Sequence, residues 1–62
     1  MNDEFNMSMR KFLKQVGVTS QQAIEEAVRE NGTDGDYAVK AVITIEEIGL
    51  THEVTGTIKN KA

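Results

Sequence analysis

The sequence predicts an α+β protein in which two N-terminal helices pack on a C-terminal antiparallel β-hairpin, in the order ααββ. Two observations support this prediction, a change in the spacing of apolar residues and a polar segment where that change occurs. Apolar residues recur at helical spacing up to residue 30 and at every second position after residue 36. Between them, residues 31–36 are rich in Asn, Gly and Asp and are predicted to form a loop. At 62 residues, the chain is expected to be a single small domain.

The first helix is predicted over about residues 3–16. Its apolar residues form one continuous stripe: Phe5, Met9, Phe12, Leu13 and Val16. Gly17 can adopt the left-handed conformation that ends a helix. Phe12 and Leu13 lie in the middle of the stripe and are predicted core residues, so Phe12→Ala is expected to cost about 3 kcal/mol.

The second helix is predicted over about residues 20–30. Thr19 is a suitable N-cap, and Gln22 completes a capping-box pattern three residues later. Loss of this cap in Thr19→Ala is expected to cost about 1 kcal/mol. The apolar positions of this helix are Ala23, Ile24, Ala27 and Val28.

Two amphipathic strands are predicted over about residues 37–45 and 50–59. A loop from Glu46 to Gly49 between them predicts an antiparallel hairpin. In the resulting register all five pairs lie on the same, core-facing side of the sheet. The predicted pairs are Tyr37 with Ile58, Val39 with Gly56, Ala41 with Val54, Ile43 with His52 and Ile45 with Leu50.

Composition narrows the possible functions. The net charge is -3, from ten acidic and seven basic residues, which disfavours nonspecific binding to nucleic acid or anionic lipid. The chain has no cysteine and one histidine, so neither a disulfide nor a metal site is expected, and no cofactor is predicted. No segment resembles a signal peptide or a membrane span, so a cytoplasmic location and no membrane partner are expected.

Two blocks of the sequence carry a resemblance. "FNMSMRKFLKQVGVTSQQ", residues 5–22, and "ITIEEIGLTHEVTG", residues 43–56, flank a variable middle segment. In these blocks the chain resembles a family of short uncharacterised bacterial proteins. The resemblance implies a bacterial origin and no assigned activity, substrate or cofactor.

The segment from Lys14 to Val28 has the outline of a DNA-binding helix-turn-helix with its turn at Gly17. The register does not fit, because Ala23 and Glu26 would occupy positions where branched aliphatic residues are normally buried. The second helix also carries three glutamates against one arginine, where DNA phosphates would have to approach. Sequence-specific DNA binding is therefore not expected. A nucleic-acid-associated regulator that uses the corner between the two predicted helices is kept as the alternative function.

Two other patterns have ordinary structural explanations. The "DGD" of residues 34–36 lacks the glycine and the closing glutamate of a calcium loop. His52 has no nucleophile at a spacing that would place it nearby. A 62-residue chain with one hairpin can hardly enclose a pocket of the size that small-molecule sites need, so the chain is not expected to be an enzyme.

The function predicted instead is a small protein-interaction module that forms a homodimer through the hairpin, by edge pairing or by contact of apolar faces, or that binds another protein. The candidate interaction surface consists of polar residues of the helical region: Arg10, Lys11, Lys14, Gln21 and Gln22.

Overall fold

The computed structural model describes residues 2–61 of the chain. Its elements are one long helix, α1 (Asp3–Asn31), and two strands, β1 (Gly35–Ile45) and β2 (Leu50–Asn60), joined by a short 3₁₀ helix (Glu46–Ile48). The α+β class is therefore confirmed. The chain divides into two compact units, one ending at Gly32 and the other starting at Thr33, and each is described by itself.

The prediction of two helices is wrong, because α1 runs through Gly17 and Thr19 without interruption. Glycine permits a left-handed helix end but does not impose one. The glycines with positive φ among the described residues are Gly35 and Gly49. Thr19 is not an N-cap, since its hydroxyl donates to the carbonyl oxygen of Gln15 at 2.8 Å, one turn back in the same helix.

The N-terminus of α1 is capped by Asn2, which the sequence analysis did not identify. Its side-chain oxygen accepts a hydrogen bond from the backbone N–H of Phe5 at 2.8 Å. This bond satisfies one of the four N–H groups that have no partner within a helix at its start. Asp3 and Glu4 in the first turn are favoured by the helix dipole.

The C-terminus of α1 lies close to its predicted position. The helix ends at Asn31, one residue after the predicted end, and the backbone N–H of Gly32 donates to the carbonyl oxygen of Val28 at 2.8 Å. The predicted loop over residues 31–36 is shorter than expected, because β1 already begins at Gly35.

The hairpin has the predicted register. All five predicted pairs are present, from Tyr37 with Ile58 to Ile45 with Leu50 at the turn. Gly49 closes the turn with φ 65°, a left-handed conformation that glycine adopts without steric cost, and its N–H donates to the carbonyl oxygen of Glu46 at 3.1 Å. Turn and strand periodicity therefore specify the same alignment.

A small hydrogen-bond cluster fastens the open end of the hairpin. The Tyr37 hydroxyl donates to the carbonyl oxygen of Thr33 and accepts from the Thr33 N–H. The Asn60 side-chain amide donates to the same carbonyl oxygen at 3.0 Å. Because Asn60 is the last residue of β2, these bonds tie the segment before β1 to the end of the neighbouring strand.

The predicted core is not present in the single chain. Within residues 2–61 no residue is buried, and Phe12 and Leu13 are 54% and 45% exposed. The prediction that they are core residues is therefore wrong. The physical reason lies within each unit: one straight helix and one two-stranded sheet each have no second layer of their own that could cover an apolar side chain. The cost predicted for Phe12→Ala presupposed burial and is not expected for the isolated chain.

We predict that Gly17→Ala raises the free energy of unfolding by about 1 kcal/mol, because alanine has the higher helix propensity. In the described part of the chain, an added Cβ at Gly17 would meet nothing within 4 Å beyond its own helix backbone. Chemical denaturation followed by far-ultraviolet circular dichroism measures the change. Destabilisation would contradict a helical Gly17, since alanine is strained in a left-handed helix end.

We predict that Asn2→Ala lowers the free energy of unfolding by about 1 kcal/mol through loss of the N-cap hydrogen bond. The matched control is Thr19→Ala, which removes the side-chain oxygen that the two-helix prediction made a cap. In the continuous helix this control is expected to change stability by less than about 0.5 kcal/mol. The opposite ranking of the two variants would place the helix start at Thr19.

Candidate interaction surfaces

The first candidate surface is an apolar stripe along α1. We call it the helix stripe, and its members are Phe5, Met9, Phe12, Leu13, Val16, Ala23, Ile24, Ala27 and Val28. The large residues of its N-terminal half are exposed, whereas Val16, Ile24 and Val28 are half-buried. The two stripes predicted for separate helices are thus one surface on one helix.

The helix stripe follows an 11-residue repeat. Phe5, Val16 and Ala27 are related by this spacing, and so are Leu13 and Ile24. An 11-residue repeat corresponds to about 3.67 residues per turn, close to the ~3.6 of an undistorted α-helix. The stripe therefore stays on one side of α1 along its whole length. Ser20, eleven residues after Met9, is the polar residue within it.

The second candidate surface is the polar side of α1, where the structure places the predicted site residues. All five are exposed: Arg10, Lys11, Lys14, Gln21 and Gln22. Four of them lie away from the helix stripe, whereas Arg10, five turns before Val28, lies at its border. Lys11 and Gln22 are 11 residues apart, so their side chains point in nearly the same direction. They are separated by about 16 Å along the helix axis. They share one straight face and do not flank the corner that the sequence analysis placed at Gly17.

The charges of α1 are unevenly distributed along its length. Three basic residues lie between positions 10 and 14, whereas three of the four charged residues between positions 25 and 30 are acidic. The first cluster comprises Arg10, Lys11 and Lys14, and the second comprises Glu25, Glu26 and Glu30. Two oppositely charged regions thus lie on either side of the helix midpoint.

The third candidate surface is the apolar side of the hairpin. We call it the hairpin face, and it consists of Tyr37, Val39, Ala41, Ile43, Ile45, Leu50, His52, Val54, Gly56 and Ile58. Near the open end Tyr37, Val39 and Ile58 are half-buried, whereas Val54 is 51% exposed. His52 pairs with Ile43 and is exposed.

Sequence reasoning assigned no role to several apolar residues that the structure exposes strongly. Ile48 at the tip of the hairpin is 73% exposed, and Met7 on the polar side of α1 is 71% exposed. For Ile48, the signal available in the sequence was an apolar residue in a predicted turn. Single exposed apolar residues are common on protein surfaces, so neither position defines a site by itself.

Among residues 2–61, no group of three or more His, Cys, Asp or Glu side chains is arranged to hold a metal ion. Over the same residues, α1 has no stretch apolar enough for a membrane-crossing helix.

The fold and its exposed faces define a small α+β protein consisting of one amphipathic helix and one β-hairpin. Residues 1–61 match the model of DUF6494, a family of unknown function. The chain belongs to this family, which confirms the family relationship indicated by the two sequence blocks. No curated protein and no solved structure matches the chain.

Proposed function

We propose that this chain is a small protein-interaction module of the bacterial cytoplasm, and that it binds itself through the hairpin face. The observation that supports the proposal is the exposure of apolar side chains on one side of a two-stranded sheet. Isolated two-stranded hairpins are marginally stable in water, and contact with a further apolar layer stabilises them. A second copy supplies such a layer with the same chemistry.

Burial of this surface would release substantial free energy. Ile45, Leu50 and Val54 lie near the turn end of the hairpin face and are each at least 39% exposed. Complete burial of such a side chain contributes about 1.5–3 kcal/mol, and roughly half of that remains available for a half-exposed one. In a twofold dimer each residue contributes twice, once from each copy.

Contact between faces is favoured over pairing between strand edges. Lysines on an edge strand discourage pairing with another strand, and β2 carries Lys59 near its end, followed by Lys61. The hairpin face contains no lysine, arginine, aspartate or glutamate. Its only titratable side chains are Tyr37 and His52, so two such faces can meet without opposing fixed charges.

Location and kind of activity are part of the same proposal. The chain has no cysteine, whereas small secreted domains often depend on disulfides. This composition supports a reducing compartment such as the bacterial cytoplasm. Binding, and not catalysis, is proposed because the supporting feature is an apolar surface.

The nucleic-acid alternative is not proposed. It depended on a corner between two helices, and α1 is continuous at that position. The basic residues Arg10, Lys11 and Lys14 remain on an exposed face, but the net charge of the chain is -3. Overall electrostatics therefore opposes the approach of phosphates.

The test compares two lysine substitutions on opposite sides of β2. Val54→Lys places a charge on the hairpin face, whereas the matched control, Thr51→Lys, places it on the other side next to Thr44. Sedimentation is expected to give a higher average mass for the wild type and the control than for Val54→Lys, in which association through the hairpin face is lost.

The melting temperature of the wild type is also expected to rise with protein concentration, because dimerisation stabilises the folded state by mass action. Equal effects of the two lysine variants on sedimentation would contradict association through the hairpin face. A wild-type chain that sediments only at 6.9 kDa, with a melting temperature independent of concentration, would contradict self-association altogether.

A further inference from the structure

We infer that α1 forms an antiparallel pair with α1 of a second copy of the chain, with the two helix stripes in contact and Met9 level with Ala27 of the other copy. This interface is distinct from the hairpin face and does not rest on the proposed function. That a second α1 covers the stripe, and that it runs antiparallel, follows from the sizes and charges of residues along α1. The length of the stripe sets the contact area.

The sizes of the stripe residues differ between the two halves of α1. The N-terminal half carries Phe5, Met9, Phe12 and Leu13. The C-terminal half has small residues at Ala23 and Ala27, preceded by Ser20, beside the larger Ile24 and Val28. Helices pack well when large residues of one face small residues of the other, since this keeps the distance between axes nearly constant. One line of residues along α1 is large at its start and small at its end, and it therefore complements its own reversed copy: Met9, Leu13, Val16, Ser20, Ala23 and Ala27.

One antiparallel register satisfies this requirement at three levels. When Met9 is level with Ala27, Leu13 is level with Ala23 and Val16 with Ser20. In a parallel pair, Phe12 would lie beside Phe12 and Ala23 beside Ala23. The axes would then be held apart at one end and leave unfilled space at the other, which loses packing energy.

The charge distribution favours the same direction. In the antiparallel register Arg10 and Lys11 are level with Glu26 and Glu25 of the other copy. A parallel pair would instead bring the basic cluster beside the basic cluster and the acidic cluster beside the acidic cluster. None of these four side chains belongs to the helix stripe, so their charges lie farther apart than the about 8–10 Å between adjacent helix axes and beyond the screening length of about 8 Å at physiological salt. Electrostatics therefore adds only a small preference to the one set by packing.

The length of the stripe provides enough contact area for a dimer. In this register the helices overlap from Phe5 to Asn31, about 40 Å at 1.5 Å per residue. A strip covering about one third of a helix surface of this length amounts to roughly 420–500 Å² per copy. The total of about 850–1,000 Å² is below the standard size of specific interfaces, which indicates a weak, concentration-dependent dimer.

Disulfide trapping tests the pairing and its direction, because the chain has no native cysteine. An equimolar mixture of Met9→Cys and Ala27→Cys chains is oxidised, and the products are separated by mass. The mixed dimer is expected to exceed either homodimer about tenfold, since only this combination brings two thiols together. Two copies of residue 9 would be about 27 Å apart, beyond the reach of a disulfide.

The control replaces Met9→Cys with Met7→Cys in the same mixture. Met7 is 71% exposed and lies on the side of α1 away from the helix stripe, so its mixed product with Ala27→Cys is expected to stay at the level of random collision. Circular dichroism of each variant checks that the helix is retained. Repeating the experiment with Val54→Lys in both chains checks that helix pairing does not depend on the hairpin face. The mixed dimer is expected to persist in that background.

Three outcomes would overturn the inference. A dominant Met9→Cys homodimer would indicate parallel helices. Equal trapping of Met7→Cys and Met9→Cys would mean that the stripe is not the contact surface. Failure of helical chains to form the mixed dimer above the collision level would mean that a second α1 does not cover the stripe in this register.

Discussion

The continuous backbone hydrogen-bond ladder of α1 through Gly17, Val18 and Thr19 is the constraint on which the other features of the helix depend. A break there would divide the apolar residues between two short helices. Without a break, the 11-residue repeat places them on one side of a 29-residue helix. The same continuity places the predicted polar site residues together, four of them away from the stripe and Arg10 at its border.

The exposed apolar surfaces follow from this architecture. One helix and one two-stranded sheet provide few layers, and within residues 2–61 none of the residues is buried. Small chains often obtain the missing stability from oligomerisation, a metal or disulfides. The sequence has no cysteine, and its apolar residues are arranged on continuous faces. These features are the physical basis for proposing association as the role of the chain.

The hairpin could be predicted from the sequence because its determinants are local and agree with one another. Alternating apolar residues and a turn ending in Gly49 specify one register, and the structure has that register. The continuation of the helix through Gly17 could not be predicted from the sequence. Gly17 and Thr19 have suitable chemistry for an end and a start, but this chemistry is also compatible with a helix interior.

The candidate surfaces were predictable as patterns of residue types, but their exposure was not. The stripe containing Phe12 has the same sequence signature whether a core or a partner covers it. The signal of Asn2 as N-cap was available, since asparagine precedes two acidic residues at the helix start. The polar residues Arg10 and Gln22 could be chosen by type, although their common face depends on helix continuity.

Nuclear Overhauser effects across Gly17 test the continuity of α1 most directly. The continuous helix predicts contacts between the α-proton of each residue i and the amide proton of residue i+3 for every step from Lys14 to Gln22. It also predicts helical Cα chemical shifts for Val18 and Thr19. Loss of these contacts at Gly17, with an extended shift at Thr19, would contradict the single helix and divide the helix stripe in two.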